Sequence, residues 1–349
     1  SGVEAIDVRT VVLESPRTLT LTERPAPPAP AAGEATVRVL EVGVCGTDLH
    51  AFNGNQPMMR YPVVLGHELA LEITALGPGT GSLGLDVGDR CTAIPYVDCG
   101  HCGACRRGKT NACQTLSVLG VHEDGGLRES FNLPARLLLE ANDLDVDQLA
   151  MVEMLAIGEH AVARASITAE DSVLVIGAGP IGLGTIAAAG LRGPRVLALD
   201  LSAERRAFVA SLGTADVLPP ETATAPADVL RQRLAGELPT VVLDATGNAN
   251  SMGAALSLVA PGGRLVLVGH TAQTLGFDNP TLHRGELTVL ASRNATRHDF
   301  DNVLSNLRGG AIDVSKWITT RVDPGELVRE LPRWAAGPTE VVKVVVEFA

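Results

Sequence analysis

Four of the six cysteines lie within fifteen residues of one another, a spacing that suits a metal site. They are Cys99, Cys102, Cys105 and Cys113. Together they supply four thiolates, which is enough to close a tetrahedral zinc shell. Because a closed shell leaves no position for a substrate, we expect this zinc to be structural. The alternative is an iron–sulfur cluster, since ferredoxins share the C-x2-C-x2-C run, but the spacing to the fourth cysteine differs from the bacterial ferredoxin pattern.

A glycine-rich segment matches the G-x-G-x-x-G pattern of dinucleotide-binding turns. A predicted buried strand at 172–176 precedes it, and a predicted apolar helix near 181–191 follows it. Gly177 would permit the tight turn, Gly179 would let a pyrophosphate approach the backbone, and Gly182 would allow close packing of helix on strand. The residues expected to contact the cofactor are Gly177, Gly179, Pro180, Ile181 and Gly182. A glycine turn that packs without a ligand is the alternative.

An acidic residue follows the next predicted strand, at 195–199, about 20 residues beyond the glycines, as the dinucleotide pattern requires. This residue, Asp200, would accept hydrogen bonds from the adenosine ribose and repel a 2′-phosphate. The sequence therefore favours NAD over NADP. Arg205 and Arg206 lie one helical turn away and carry the charge that would favour NADP.

Three other short segments carry residues that could bind a metal or move a proton. They are Cys45-Gly-Thr47-Asp48-Leu-His50, Gly66-His67-Glu68 and Glu153-Met-Leu-Ala-Ile-Gly158. A single cysteine more often packs as a small apolar residue, and a His-Glu pair usually lies at the surface. None of these segments is therefore specific by itself.

Two regions with different residue patterns indicate the elements that must position these residues. Residues 1–150 contain short β-branched runs, such as 35–42 and 87–94, separated by glycine and proline, and the proline-rich stretch 25–32 is predicted to be an exposed loop. From about 150, apolar strands alternate with helices, with further strands at 240–244, 264–268 and 288–291. This alternation predicts βαβ units and a doubly wound parallel sheet.

Composition excludes several classes of protein. The 349 residues carry 28 basic and 40 acidic side chains, a formal charge of −12, which argues against nucleic acid or an anionic membrane as the partner and disfavours a zinc-ribbon nucleic-acid module. No run approaches the roughly 20 apolar residues of a spanning helix. The first residues lack the basic and apolar stretches of a secretory signal. We therefore expect a cytoplasmic protein.

Taken together and in this order, the motifs resemble the zinc-containing medium-chain dehydrogenase/reductase family. Its polyol (sorbitol/sugar-acid) dehydrogenase branch is the most similar, because the later ligand position carries Glu153 rather than cysteine. The resemblance implies an α/β protein with two domains. Residues 1–150 and 291–349 would form a chaperonin-10-like β-barrel catalytic domain that binds both zinc ions, and residues 151–290 would form a Rossmann nucleotide domain.

The resemblance also implies roles for individual residues near a catalytic zinc. Cys45 and His67 would hold the ion, Glu68 would be a direct or exchangeable third ligand, and Glu153 would be a ligand or hold the zinc-bound water. Asp48 would accept a hydrogen bond from His67 and fix its tautomer, or else cap a turn. Thr47 would pass the substrate proton to His50. The family usually has glycine where this chain has Leu71 and often proline where it has Met154, and both positions affect the backbone shape near the two glutamates.

Further residues match the loops that line the cofactor in the family. They are Thr246, Val268, Gly269, His270 and Arg293, together with Arg205. Arg293 matches an arginine that reaches the active site, and it could instead be solvated at a strand end. Arg60 and Arg293 are the candidate partners for an acidic substrate.

We therefore predict an NAD-linked dehydrogenase that oxidises a secondary alcohol in a polyol or sugar acid, with two zinc ions per chain. The small-molecule substrate would be the main partner, and the family implies a homodimer or homotetramer. The alternatives are an alcohol or threonine-type dehydrogenase and, in a different class, a non-catalytic redox sensor that binds NAD. The combination of Cys45, Thr47, His50 and His67 favours catalysis, because a sensor needs no proton relay.

Overall fold

The structure is a computed structural model that describes residues 7–56, 59–219, 222, 225–337 and 341–348. The chain divides into two compact units, Ser1–Glu153 with Leu304–Ala349, and Met154–Val303. These divisions fall at 153 and 303, whereas the sequence led us to place domain boundaries at 150 and 290. No described helix is both long enough and apolar enough to cross a lipid bilayer.

The first unit consists mainly of strands, whereas strands and helices alternate through the second. In chain order, the strands are β1 (Asp7–Ser15), β2 (Thr18–Pro25), β3 (Glu34–Gly43), β4 (Val63–Val64), β5 (Glu68–Leu76), β6 (Arg90–Ala93), β7 (Tyr96–Val97), β8 (Ser117–Val118), β9 (Ser130–Pro134), β10 (Leu138–Glu140), β11 (Ser172–Ile176), β12 (Arg195–Leu199), β13 (Asp216–Val217), β14 (Val241–Asp244), β15 (Arg264–Leu267), β16 (Thr288–Ala291), β17 (Ile318–Val322) and β18 (Lys343–Glu347). The α-helices are α1 (Gly46–Phe52), α2 (Val146–Ala165), α3 (Pro180–Gly190), α4 (Ala203–Leu212), α5 (Pro226–Arg233), α6 (Ala249–Ala254), α7 (Asn279–Arg284), α8 (Arg297–Arg308) and α9 (Pro324–Ala335).

The first unit is built around a sheet of order β10-β6-β5-β3-β18-β17, with β9 also paired to β3. A second sheet, β2-β1-β4, packs into the same apolar core. On β3 the side chains of Val37, Val39 and Val42 are fully buried, as expected for β-branched residues on the inner face of a strand. The C-terminal strand β18 pairs with β3, and β3 pairs with β5. The end of the chain therefore lies beside the strand that begins at Glu68.

The second unit contains a six-stranded sheet of order β13-β12-β11-β14-β15-β16. Every pairing in it is parallel. Numbered within the unit, this order is 3-2-1-4-5-6, the doubly wound order in which dinucleotides bind at the point where the strand order reverses. The strands predicted at 172–176, 195–199 and 288–291 have the observed bounds, and the predicted fold class is confirmed.

Several short elements of the second unit were not predicted. They are β13, α5, α6 and α7. Each has eight residues or fewer, too few to show a clear helical or strand period in the sequence. Their apolar residues, including Leu230 and Met252, are nevertheless buried in this unit.

Candidate metal centres and dinucleotide turn

The four clustered cysteines meet at one point in the first unit. Their sulfur atoms all lie within 4.8 Å of one another, and none of the four forms a disulfide. Two of the distances, Cys102 Sγ to Cys105 Sγ and Cys113 Sγ to Cys99 Sγ, are 3.5 Å. Around zinc, with Zn–S bonds of about 2.3 Å, tetrahedral geometry places sulfurs roughly 3.8 Å apart. The cluster therefore fits a four-thiolate zinc site.

Backbone N–H groups point at these sulfurs, as expected where thiolates must be stabilised. The Cys102 N–H donates to Cys99 Sγ at 3.3 Å, and the Cys99 N–H donates to Cys113 Sγ at 3.4 Å. Backbone hydrogen bonds from Cys105 and Gln114 lower the pKa of the Cys102 thiol to about 6. Burial, followed by the neighbouring thiols, raises the pKa of the Cys105 thiol to about 12. A bound cation would remove that last proton and favour four thiolates.

A second group of candidate ligands surrounds His67, also in the first unit. Cys45 immediately precedes α1, His67 immediately precedes β5, and Glu153 lies on α2. Burial lowers the pKa of His67. Three neighbouring groups, Cys45, Asp48 and Glu153, raise it by more, so the pKa lies well above its ordinary value. The structure thus places the imidazole near the Cys45 sulfur and near two carboxylates, those of Asp48 and Glu153.

The carboxylates of this second group are engaged by other side chains. Glu68 Oε2 contacts Lys343 Nζ, and Glu153 Oε1 accepts a hydrogen bond from the Tyr96 hydroxyl.

Among the described residues, the four cysteines form a group of ligand atoms within 4.8 Å of one another, whereas the residues around His67 do not. Within the part of the chain that the structure describes, Glu68 Oε1 and His67 Nδ1 are buried without a hydrogen-bond partner, so polar atoms remain there that a cation could satisfy. The donor set of sulfur, nitrogen and oxygen atoms suits zinc.

The structure corrects the predicted contact of Asp48. Asp48 Oδ2 accepts a hydrogen bond from the Cys45 N–H at 2.8 Å, which is the capping contact considered as the alternative. Within the described residues, neither Asp48 Oδ1 nor His67 Nδ1 has a partner, so the predicted hydrogen bond to His67 is not formed. The cap forms because its donor lies three residues away on the same turn, and it uses only Oδ2 of the carboxylate. Asp48 still acts on His67 through its charge.

The two proposed relay residues lie on α1. Thr47 Oγ1 is 3.7 Å from Cys45 Sγ, and His50 is exposed in the last turn of the helix. Residues three apart on a helix lie on the same face. Thr47 is therefore next to the candidate metal ligand, and His50 lies on the solvent side of it.

Sequence reasoning missed Tyr96 and Lys343, the residues that hold the two glutamates. Both are buried, and the Lys343 side chain is only 1 % exposed. The signal for Lys343 is its position inside the apolar run 341–348, because a lysine is rarely buried without a charged partner. For Tyr96 no pattern in the sequence indicated that its hydroxyl would meet a residue on a distant helix.

The dinucleotide turn in the second unit joins β11 to α3. Gly177 has φ of +92°, a left-handed conformation that favours glycine, and a Cβ on Gly182 would overlap the Gly177 carbonyl oxygen. A Cβ on Gly179 would enter open space, so nothing there blocks the approach of a pyrophosphate. Pro180 occupies the first turn of α3, and Ile181 is half-buried beside it. This turn therefore fits a dinucleotide.

Asp200 contacts the same turn from the end of β12. Its Oδ2 accepts the Ala178 N–H at 2.6 Å, and its Oδ1 accepts the Ser202 N–H at 2.8 Å. Arg206 donates to the backbone oxygens of Asp200 and Leu201, both at 2.8 Å. Burial lowers the pKa of Arg205, and the Asp200 charge opposes that shift. The carboxylate thus contacts the glycine turn and is close enough to Arg205 to act on it by charge.

Most of the other predicted cofactor residues gather at the carboxyl ends of β14 and β15. The Val268 and Gly269 N–H groups donate to the Asp244 carbonyl oxygen at 2.9 and 3.0 Å. Thr246 Cγ2 lies 3.1 Å from where a Cβ on Gly177 would be, and His270 follows Gly269. Arg293 lies apart from these strand ends along the chain, exposed and two residues beyond β16.

Comparison with known proteins gives whole-chain matches. Residues 31–143 match the family described as alcohol dehydrogenase GroES-like domain, and residues 180–308 match zinc-binding dehydrogenase. L-galactonate-5-dehydrogenase of Escherichia coli strain K12 is 39% identical over 338 residues, which cover 97% of this chain and 98% of that protein.

Two solved structures superpose over nearly the full length. A structure described as a short chain alcohol dehydrogenase from E. coli CFT073, complexed with NADH, has a TM-score of 0.88 and 30% identity. The match covers 98% of this chain and 99% of that one. A structure described as a zinc-binding dehydrogenase from Sinorhizobium meliloti 1021, bound to NADP, has a TM-score of 0.88 and 27% identity. The match covers 98% of this chain and 100% of that one. The GroES-like and Rossmann-like parts expected from the sequence are thereby confirmed.

Proposed function

Because the chain belongs to the zinc-containing medium-chain dehydrogenase/reductase family, we propose that it oxidises a secondary hydroxyl of a polyol or sugar acid and reduces NAD⁺. The observation that carries this proposal is the group around the buried His67 imidazole, where Cys45, Asp48 and Glu153 act on the imidazole and Glu68 acts on Glu153 by charge. A thiolate, an imidazole and a carboxylate leave a fourth zinc position open for substrate.

The reaction removes one proton and one hydride from the substrate. The hydroxyl loses the proton, the carbinol carbon loses the hydride to the nicotinamide, and the products are a ketone and NADH. Zinc, when bound, supplies the Lewis acidity that makes the hydroxyl acidic. Thr47, beside the Cys45 sulfur, would accept the proton and pass it along the same face of α1 to the exposed His50.

The contacts of the two glutamates suggest different roles for them. Lys343 neutralises Glu68 within the protein, so we propose that Glu68 reaches the metal only by exchange. The partner of Glu153 is a neutral hydroxyl, so its negative charge remains available to a cation or to a water molecule bound there. Cys45, His67 and Glu153 would then be the resident protein ligands. The four-cysteine cluster would hold a second, structural zinc.

The cofactor proposal rests on Asp200. Its carboxylate lies beside the turn formed by Gly177, Gly179 and Gly182, where it would accept the ribose hydroxyls and repel a 2′-phosphate. We propose NAD as the physiological cofactor. The residues on the loops after β14 and β15, Thr246, Val268, Gly269 and His270, would line the cofactor, and Arg293 would extend this lining.

The name of the relative at 39% identity directs the substrate proposal to sugar acids and the related polyols. A sugar acid carries a carboxylate, for which the exposed Arg60 and Arg293 are the candidate partners. We also propose that the protein acts in the cytoplasm, since both metal sites depend on thiolates that a reducing compartment preserves. A homodimer or homotetramer is the proposed assembly, to be measured by light scattering.

Turnover on a matched substrate panel tests the function. The panel contains aldonic acids, their corresponding polyols, simple secondary alcohols and L-threonine, each supplied with NAD⁺. NADH formation is followed by absorbance, and the zinc content is measured on the same sample. We expect two zinc ions per chain and turnover of a sugar acid or polyol. Cys45→Ser should abolish turnover, whereas Cys91→Ser, at a buried thiol bonded to the Asp89 backbone, should not. Binding of NAD⁺ without reduction across the panel would instead support the redox sensor.

A further inference from the structure

Tyr96 is a buried polar side chain next to the candidate catalytic zinc site, and the function proposed above gives it no role beyond being the neutral partner of Glu153. Its side chain lies among the charged groups of that site, because Glu153, Cys45 and Glu68 all act on its hydroxyl by charge. The residue is 5 % exposed and its hydroxyl donates to Glu153 Oε1. Glu153 itself is 3 % exposed.

We propose that Tyr96 is a positioning residue that holds one oxygen of Glu153 and so presents the other oxygen to the metal site. A carboxylate can bind a cation through one or both of its oxygens. The hydrogen bond from the Tyr96 hydroxyl uses one lone pair of Oε1 and fixes the rotation of the carboxylate, so that Oε2 becomes the preferred ligand atom. This inference rests on the proposed function, because it assumes a zinc ion beside Cys45 and His67.

The backbone around Tyr96 is itself constrained. Tyr96 and Val97 form β7, which pairs with Val118 and Ser117 of β8. The segment between these strands carries the four-cysteine cluster, so the two ends of the cysteine loop are joined by the pairing that holds Tyr96. The Leu119 N–H extends the pairing with a hydrogen bond of 3.0 Å to the Pro95 carbonyl oxygen. A tightly closed cysteine loop would therefore keep the Tyr96 hydroxyl in place.

The contact differs in kind from that of the other glutamate. Lys343 gives Glu68 a full positive charge, whereas Tyr96 gives Glu153 a hydrogen bond and no charge. A neutral donor orients the carboxylate without cancelling its attraction for a cation. Partners of this kind orient metal ligands, and their loss lowers metal affinity by about 10- to 100-fold.

The test uses Tyr96→Phe, which removes only the hydroxyl. The chain has two tyrosines, and Tyr61→Phe is the matched control, because the Tyr61 hydroxyl donates to the Ala51 carbonyl oxygen at 2.8 Å. Each protein is loaded with cobalt, and the visible spectrum of Cys45→Ser is subtracted to isolate the bands of this site. Release of the same metal to a chelator is timed in parallel.

We expect Tyr96→Phe to shift the cobalt bands and to release the metal about tenfold faster, and Tyr61→Phe to match the unsubstituted protein. In a Glu153→Ala background, Tyr96→Phe should have no further effect, because the oxygen it positions is gone. An effect of the same size in that background would show a merely structural role and overturn the proposal. So would unchanged bands and release rates in Tyr96→Phe.

The failure of this inference can be told from failure of the proposed function. If the unsubstituted protein binds a single metal ion that Cys45→Ser retains in full, no metal lies beside Cys45, and both proposals fall. If two ions bind, one is lost in Cys45→Ser, and Tyr96→Phe leaves the spectrum unchanged, only the role of Tyr96 is overturned.

Discussion

Lys343 Nζ lies against the Glu68 carboxylate, and each of these side chains is 1 % exposed. The same amino group donates to the Val44 carbonyl oxygen at 3.1 Å. A Cβ on Gly43 would overlap Glu68 Oε2 and press on Lys343 Cε, so glycine is needed where β3 passes the pair. The ion pair therefore joins β18 to the start of β5, immediately after His67.

Lys343→Met should destabilise the first unit strongly, because it leaves the Glu68 carboxylate buried without its cation. Removing one partner of a buried pair costs roughly 3–5 kcal/mol. Urea unfolding followed by tryptophan fluorescence measures the change in the free energy of unfolding. Trp317 and Trp334 are the two tryptophans of the chain, and both are buried in this unit.

Two further variants make the Lys343 experiment specific. The double variant Lys343→Met with Glu68→Gln should recover most of the lost stability, because it removes the unpaired charge. Lys316→Met, at an exposed lysine, should change the unfolding midpoint little. A Lys343→Met protein as stable as the original would show that the pair does not support this unit.

Glu41 is the basis of a pH-dependent stability. Burial, followed by the charge of Asp147, raises the pKa of Glu41 from 4.5 to about 7, although Arg321 lies 3.1 Å away and lowers it. The folded protein therefore binds this proton more tightly than the unfolded chain does. The resulting stabilisation is complete below pH 4.5 and is lost as the pH rises through 7.

Glu41→Gln should remove this dependence, because the amide stays neutral at every pH. As the pH rises from 5 to 8, the original protein should lose stability and the variant should not, so the variant gains relative to it. The gain should be on the order of 1 kcal/mol, because water screens part of the interaction among Glu41, Asp147 and Arg321. Unfolding midpoints across this range measure the gain. Glu72→Gln, in a surface pair with Arg38, is the control, and parallel curves for Glu41→Gln and the original would contradict the prediction.

The second unit could be predicted largely from sequence, because its signals are local. A strand buried on both faces, such as Ser172–Ile176, is a continuous apolar run, and the glycine pattern follows it directly. In the first unit, the prolines likewise predicted a loop at 25–32, and the chain is irregular there except that Pro25 is the last residue of β2. Short helices such as Ala249–Ala254 were missed, because six residues contain fewer than two helical turns.

The candidate catalytic site was predicted only in part, because its partners come from distant parts of the chain. Lys343 and Glu68 are 275 residues apart, and Tyr96 and Glu153 are 57 apart. Strand pairing brings the first pair together, and no local pattern encodes it. Asp48 shows that a local partner is the easier one to predict, since the Cys45 N–H three residues away caps it while the expected hydrogen bond to His67 is not formed.

Cys102→Ser should cost the protein one zinc ion and much of its thermal stability. The backbone hydrogen bonds that lower the pKa of this thiol to about 6 favour the thiolate that zinc requires, and serine cannot replace it. We expect the thermal midpoint to fall by roughly 5–10 °C, since metal binding contributes directly to folding. Metal content and tryptophan fluorescence are measured on the same sample.

The variant Cys45→Ser serves as the comparison for the cysteine cluster. It should also lose one zinc ion, but its thermal midpoint should stay close to that of the original, because Cys45 joins no four-thiolate shell. If Cys102→Ser kept two zinc ions, or melted at the same temperature as the original, the cluster would not be a structural metal site.

Asp200 should determine the choice between NAD and NADP through its charge. Asp200→Asn keeps an oxygen that can accept the Ala178 N–H, so the turn should keep its shape. The amide no longer repels a 2′-phosphate, and Arg205 no longer faces a carboxylate. We expect the KM for NADP to fall about tenfold while that for NAD changes less. Asp216→Asn, at an aspartate paired with Arg195 on the same sheet, should change neither KM. An Asp200→Asn protein with an unchanged ratio of the two KM values would show that another group rejects the phosphate.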